Sequence, residues 1–190
     1  MHITRRSTVR LLALAVAAWP LTGCSYNKFV GEEEAIKAQW AQVENQLQRR
    51  NDLIPNLVET AKGYMGHERE TLTAITDARS RAMGAGTLPE RSAAEAQLTG
   101  AISKFMLTVE NYPDLKANQN FLALQEELTS TENKISFARQ AYNDAVLFFN
   151  NKIEMFPSNV IAGMFNFRAQ EFFEVEEPTQ REAPKVQFTR

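Results

Sequence analysis

The chain has 190 residues and a formal net charge of −2, with 44% hydrophobic and 23% charged residues, a balance that suits one packed domain and argues against global disorder. Arg5, Arg6 and Arg10 fall before residue 24, so the remainder is more acidic than the whole and has no basic stripe, which argues against a nucleic-acid partner. A single cysteine, Cys24, rules out an internal disulfide, and only His2 and His67 are present, which starves several catalytic and metal chemistries of residues.

Residues 1–23 have the layout of a secretory signal. A basic start is followed by an apolar stretch from Leu11 to Leu21, broken only by Pro20, and then by the small residues Thr22 and Gly23. A spanning helix needs about 20 apolar residues, and this run is roughly half that. Leu21-Thr22-Gly23-Cys24 resembles the bacterial lipobox. Small residues admit the backbone to a peptidase cleft, the thiol takes a diacylglyceryl group as a thioether, and cleavage before Cys24 frees an amino group for a further acyl chain. One chain anchors marginally and two anchor stably. An ordinary cleaved signal with a chance cysteine is the plainer alternative, but the one cysteine falls at the one position this pathway uses. Ser25, by resemblance to Gram-negative lipoproteins, does not retain the protein at the inner membrane. The expectation is therefore a periplasm-facing lipoprotein, in the outer membrane rather than the inner. Thr4-Arg5-Arg6-Ser7 is only faintly like a twin-arginine signal, because Thr8 replaces the large apolar residue.

Residues 24–31 read as a tether, and 32–173 as a helical domain. Ile36, Trp40, Val43 and Leu47 recur at steps of four and three, and the pattern continues through Ile54, Leu57, Ala61 and Tyr64. Arg50 is the one charged residue on that seam. Pro55 interrupts it. Inside a helix a proline costs about 3 kcal/mol or more, but in a first turn it is harmless, and Asp52 is a candidate N-cap. The spacing predicts one helix over 29–50 and a second over 53–83, with a single kinked helix as the open alternative. Gly84 and Gly86 mark a stop, and Thr87 with Glu90 around Pro89 has the capping-box pattern. A third helix is predicted over 89–111, with Leu98, Ile102, Phe105 and Val109 inward, and Asn111 to Asp114 is a turn. The fourth helix is the clearest: Phe121, Leu124, Leu128, Thr131, Ile135, Ala138, Tyr142, Ala145, Phe149 and Phe156 keep three-four spacing until Pro157, with Lys152 the lapse. Ser158 is a candidate cap for a short apolar helix, and 174–190, which contains Pro178 and Pro184, reads as a flexible tail. Amphipathic helices with short connections must bury their stripes on one another, so the predicted fold is all-α. It is an antiparallel four-helix bundle with long helices, a short C-terminal helix and a flexible tail.

Several motifs occur in order: Gln46-Leu47-Gln48-Arg49-Arg50-Asn51-Asp52-Leu53-Ile54-Pro55-Asn56-Leu57-Val58, then Ala78-Arg79. Leu128-Thr129-Ser130-Thr131-Glu132-Asn133-Lys134-Ile135 follows with Ala138-Arg139-Gln140-Ala141-Tyr142-Asn143, then Phe156-Pro157-Ser158-Asn159-Val160-Ile161-Ala162-Gly163 and Pro184-Lys185-Val186-Gln187-Phe188. Together they resemble the LemA family over roughly residues 26–188. The resemblance implies a helical bundle at the bacterial envelope and says little about activity. Many members look anchored by an amino-terminal hydrophobic helix, and this chain departs from them by offering a lipobox. The resemblance also points to TPM-domain proteins or membrane metallopeptidases as partners.

Arg50 needs a carboxylate if it is buried; Glu132 and Asp52 are the candidates, and snorkelling to solvent is the alternative. Asn56, Glu59, Glu132, Asn133, Arg139 and Asn143 recur in the matched motifs. They suit an inter-helix hydrogen-bond network that fixes register, with a partner surface as the competing reading. Nothing around His67 resembles a nucleophile elbow, and its plain reading is a helix surface. Glu59, Glu126 and Glu132 offer carboxylates for a bundle metal site, but no Glu-x-x-His pair exists, and solvated ion pairs explain them more simply. No cofactor is expected, and no catalytic residue is assigned. Val160, Ile161, Met164, Phe165, Phe167, Phe172 and Phe173 are either a cap over one mouth of the bundle or a docking patch for a partner or a membrane. The functional expectation is a non-enzymatic scaffold or interaction module, held to the membrane through acylated Cys24. The alternatives are an accessory regulator of an envelope protease or hydrolase and, less favoured, a carboxylate-metal enzyme.

Overall fold

The computed structural model describes residues 5–173, with side chains from Tyr26 onward. The side chain of Cys24 and the expected tail over 174–190 lie outside the described residues. Among the described residues six helices are formed: α1 Arg5–Lys62, α2 Arg69–Gly84, α3 Leu88–Val109, α4 Pro113–Lys116, α5 Gln119–Glu154 and α6 Ser158–Met164. The fold is all-α, as the periodicity predicts, with no strand among the described residues.

The two long helices are organised by seven-residue stripes. In α1, Phe29, Ile36, Val43, Arg50 and Leu57 are all buried; in α5, Phe121, Leu128, Ile135, Tyr142 and Phe149 are. A heptad repeat keeps one face of a helix turned toward its partner over many turns. Two expectations about α1 are corrected by this stripe. Residues 24–31 are helix rather than tether, because Phe29 is fully buried, edge-on to Phe149 at 6.0 Å and stacked on Phe167 at 5.0 Å. The helix also passes through Pro55 without a break, so Asp52 is not an N-cap and the division at 50–53 does not occur. The break falls later, at 63–68, where Gly63 and Gly66 interrupt and the Ala61 carbonyl accepts from both Tyr64 and Met65 at 2.9 Å.

The chain divides into two compact units. The second unit spans 45–136 and contains the carboxyl part of α1, α2, α3, α4 and the amino part of α5, plus residue 173. Residue pairs fix the directions. Arg79 meets Asn51, Arg50 meets Glu95 and Glu132, and the short link 85–87 folds α3 back on α2. The four long segments therefore alternate in direction within this unit, an antiparallel arrangement as expected but built from other segments, because the predicted helices 29–50 and 53–83 are replaced by α1 and α2. Its core holds Leu57, Met65, Ile75, Leu98, Phe105, Leu115 and Phe121, and each such side chain contributes about 1.5–3 kcal/mol on burial. Helix starts are fixed chemically. Thr87 and Glu90 form the expected capping box on α3, and Asn118 Oδ1 accepts from the Phe121 amide at 3.0 Å at the start of α5.

The first unit contains the described part of α1 up to Glu44 and residues 137–172. Here α1 and α5 form an antiparallel pair. Lys152 bonds to Glu32 at 2.6 Å, and Trp40 lies 5.3 Å from the Tyr142 ring. The segment after α6 is pinned by side chains where it has no helix of its own. Tyr142 donates to the Glu171 carbonyl at 2.9 Å, while Asn150 donates to the Gln170 carbonyl and accepts from its amide. Ser158 is the first residue of α6 and makes no side-chain cap.

A candidate functional site around a buried arginine

Arg50 occupies a stripe position between Val43 and Leu57, so the helix that buries its neighbours buries it too, and it is 0% exposed. On α3 the inward stripe of Leu98, Ile102, Phe105 and Val109 extends back to Glu95, seven residues before Ile102, and Glu95 is 1% exposed. The guanidinium therefore lies among three hydrogen-bonding partners. Nη2 donates to the Glu95 carboxylate, and Nη1 donates to Glu132 Oε1 at 2.8 Å and to Thr99 Oγ1 at 3.0 Å. The Thr99 hydroxyl in turn donates a hydrogen bond to the Glu95 carbonyl at 3.0 Å. Glu132 stands at the margin, its side chain 29% exposed. One turn of α3 above Glu95, Ser92 Oγ is buried without a hydrogen-bond partner.

Burying a guanidinium and a carboxylate costs several kcal/mol per ion, recovered only with good geometry and further hydrogen bonds. Glu132 and Thr99 supply those bonds to Nη1, while Nε is buried without a hydrogen-bond partner among the described residues. The outcome is a buried charged layer that ties α1, α3 and α5 together within this unit. Two more arginines flank it. Arg49 pairs with Glu127 at 2.6 Å on the surface, and Arg79 Nε donates to the Asn51 carbonyl at 2.6 Å.

The expected site residues divide clearly. Arg50 and Glu132 are brought together, and Asp52 is not part of the cluster: it is exposed and accepts from Gln48 at 2.8 Å. Asn56 and Glu59 are exposed on α1, Glu59 pairing locally with Lys62 at 2.8 Å, so neither enters an inter-helix network. Asn133 is exposed on α5, whereas Arg139 and Asn143 are half-buried in the first unit. His67 is exposed in the α1–α2 connection rather than on a helix face, and Glu126 is exposed. Among the described residues no group of three or more His, Cys, Asp or Glu side chains is placed to hold a metal ion. Sequence reasoning missed Glu95 and Thr99, although Glu95 continues the three-four spacing of α3 and is legible as a second charge on a seam.

A model of the LemA family matches residues 39–188. Magnetosome protein MamQ 1 of Paramagnetospirillum magneticum is 25% identical over 175 residues, covering 78% of this chain and 64% of the relative; the chain thus spans less than two thirds of the length of that relative. Magnetosome protein MamQ of Magnetospirillum gryphiswaldense is 24% identical over 174 residues, again covering 78% of this chain and 64% of the relative. Protein LemA of Metamycoplasma hominis is 26% identical over 164 residues, covering 82% and 74%. With the match running through the Arg50 motif, Glu95, Glu132 and the α6 segment, the chain belongs to the LemA family.

Proposed function

We propose that the protein is a membrane-tethered, non-enzymatic interaction module of the bacterial envelope, held through lipid on Cys24. The observation that carries this reading is the placement of the chain's single cysteine directly after Leu21-Thr22-Gly23, at the end of a basic-then-apolar leader. No helix of the described residues is long and apolar enough to cross a membrane, while the LemA and MamQ relatives point to a membrane-associated protein. Acyl chains on Cys24 would attach the chain to a bilayer, because two chains anchor stably. Tethering confines the bundle to a surface and raises its effective concentration toward membrane-bound partners. The non-enzymatic reading is supported by the cluster itself: the Arg50 guanidinium is taken up within the bundle by Glu95, Glu132 and Thr99.

The test is metabolic labelling with an alkyne fatty acid, followed by mass spectrometry of the amino-terminal peptide and by proximity labelling in native membranes. Labelled peptide beginning at Cys24, and loss of both the label and the neighbour set in Cys24→Ala, are expected. An unmodified thiol in the native chain sinks the lipid tether. A neighbour set unchanged by Cys24→Ala sinks the claim that anchoring selects partners.

A further inference from the structure

The end of the first unit made by the α5–α6 turn and α6 has a bare apolar outer face. Met155 is 64% exposed, Phe156 81%, Val160 56% and Met164 67%. From Met155 to Phe167 the sequence has no charged residue, in a chain where 23% of residues are charged. The inner side of the same segment is fixed: Ala162 is buried, and Phe167 stacks on Phe29. The outer face is therefore held in place rather than loosely packed. Phe165 rests on Tyr26, with ring centroids 4.8 Å apart, and Tyr26 follows Cys24 by two residues in the sequence.

We infer that this tip is a lipid-contacting surface, whose Met155, Phe156, Val160 and Met164 enter the interfacial layer of the membrane that holds the amino-terminal segment. The inference rests on the tethering reading above. Chain path names the occupant. Two residues span at most about 7 Å, so whatever holds Cys24 lies close to Tyr26, and Tyr26 touches Phe165. Charge agrees with it: the face is uncharged, with exposed Glu154 and Arg168 flanking it in sequence, so it offers apolar side chains and no net charge to the layer it meets. An apolar face of this kind adds interfacial burial to an acyl anchor that already attaches the chain.

The experiment uses the full lipid-modified chain in vesicles of phosphatidylethanolamine and phosphatidylglycerol, some carrying brominated acyl chains. Val160→Cys supplies a labelling site at the tip and Ser103→Cys, on an exposed position of α3, supplies the control. Each is coupled to an environment-sensitive fluorophore. The Val160 probe is expected to be blue-shifted and quenched several-fold more by bromolipid than the Ser103 probe. Flotation with the vesicles but equal quenching at both positions overturns the inference and leaves the tether standing. Self-quenching between labelled copies without lipid quenching gives the face to a second copy of the chain and likewise overturns it. Failure to float overturns the tether and, with it, this inference.

Discussion

Arg79 Nε lies 2.6 Å from the carbonyl oxygen of Asn51, the oxygen that Pro55 leaves without its helical partner. In an unbroken helix the amide of residue 55 bonds to the carbonyl of residue 51, and proline has no amide hydrogen. Arg79, reaching from α2, supplies the missing donor. This explains how α1 crosses a proline that isolated helix rules treat as a stop, and it gives Arg79 a defined structural task.

The pairing predicts non-additivity. Arg79→Met should lower stability by about 1.5–3 kcal/mol, the range for a charged donor to a buried acceptor. Pro55→Ala should raise it, because the amide returns. In the Pro55→Ala background the cost of Arg79→Met should shrink by at least about 1 kcal/mol, as coupled neighbours do. Urea denaturation of the four proteins checks this, and strict additivity excludes the carbonyl-capping role.

The buried cluster predicts a steep asymmetry. Arg50→Met leaves Glu95 buried and unpaired and should cost about 3–5 kcal/mol. Glu132→Gln, at the partly exposed edge, should cost about 1 kcal/mol or less. Replacing Arg50 and Glu95 together by methionine should recover much of the loss, since an apolar pair can substitute for a buried ion pair. Thermal and urea midpoints of the three variants decide it; equal losses for Arg50→Met and Glu132→Gln refute the ranking.

Ser92→Ala should stabilise the protein by about 1 kcal/mol, because it removes a buried hydroxyl with no partner and places a better helix former in α3. A lower urea midpoint in this variant counts against the assignment.

At the start of α3, Thr87→Ala should cost about 1 kcal/mol through loss of the cap. Hydrogen bonds, first from the Thr87 amide, then its side chain and the Gly86 amide, hold the Glu90 carboxyl below its ordinary value. Its contribution is therefore present above the ordinary carboxylate pKa and disappears as pH falls through the lowered one. Glu90→Gln should flatten that part of the pH–stability curve relative to the parent chain, and acid titration of unfolding midpoints measures it.

Helix identity was legible wherever apolar spacing ran for several turns: the seams of α1, α3 and α5 and the capping box of α3 follow directly from residue order. The fate of Pro55 was not legible, because it depends on an arginine 24 residues later in the sequence that only the fold brings beside Asn51. Likewise Glu132 was recognisable as a partner for Arg50 because both stood in matched motifs. Glu95 required treating a charged residue as an inward stripe member on α3. Asn56, Glu59 and Asn133 are exposed, outside the inter-helix network and on faces that the competing partner-surface reading uses; recurrence in a motif does not reveal which face of a helix a residue takes, and a shift of one position rotates it by about 100°.

The seven-residue stripes of the long helices constrain how this chain can change length. A single deletion within α1 would swing every later side chain about a quarter-turn around the axis, sending Leu57 outward and its polar neighbours inward. Only insertions or losses of whole heptads, matched on α5, preserve the phase. Variants that grow or shorten in such blocks should fold, and those altered by one or two residues should not.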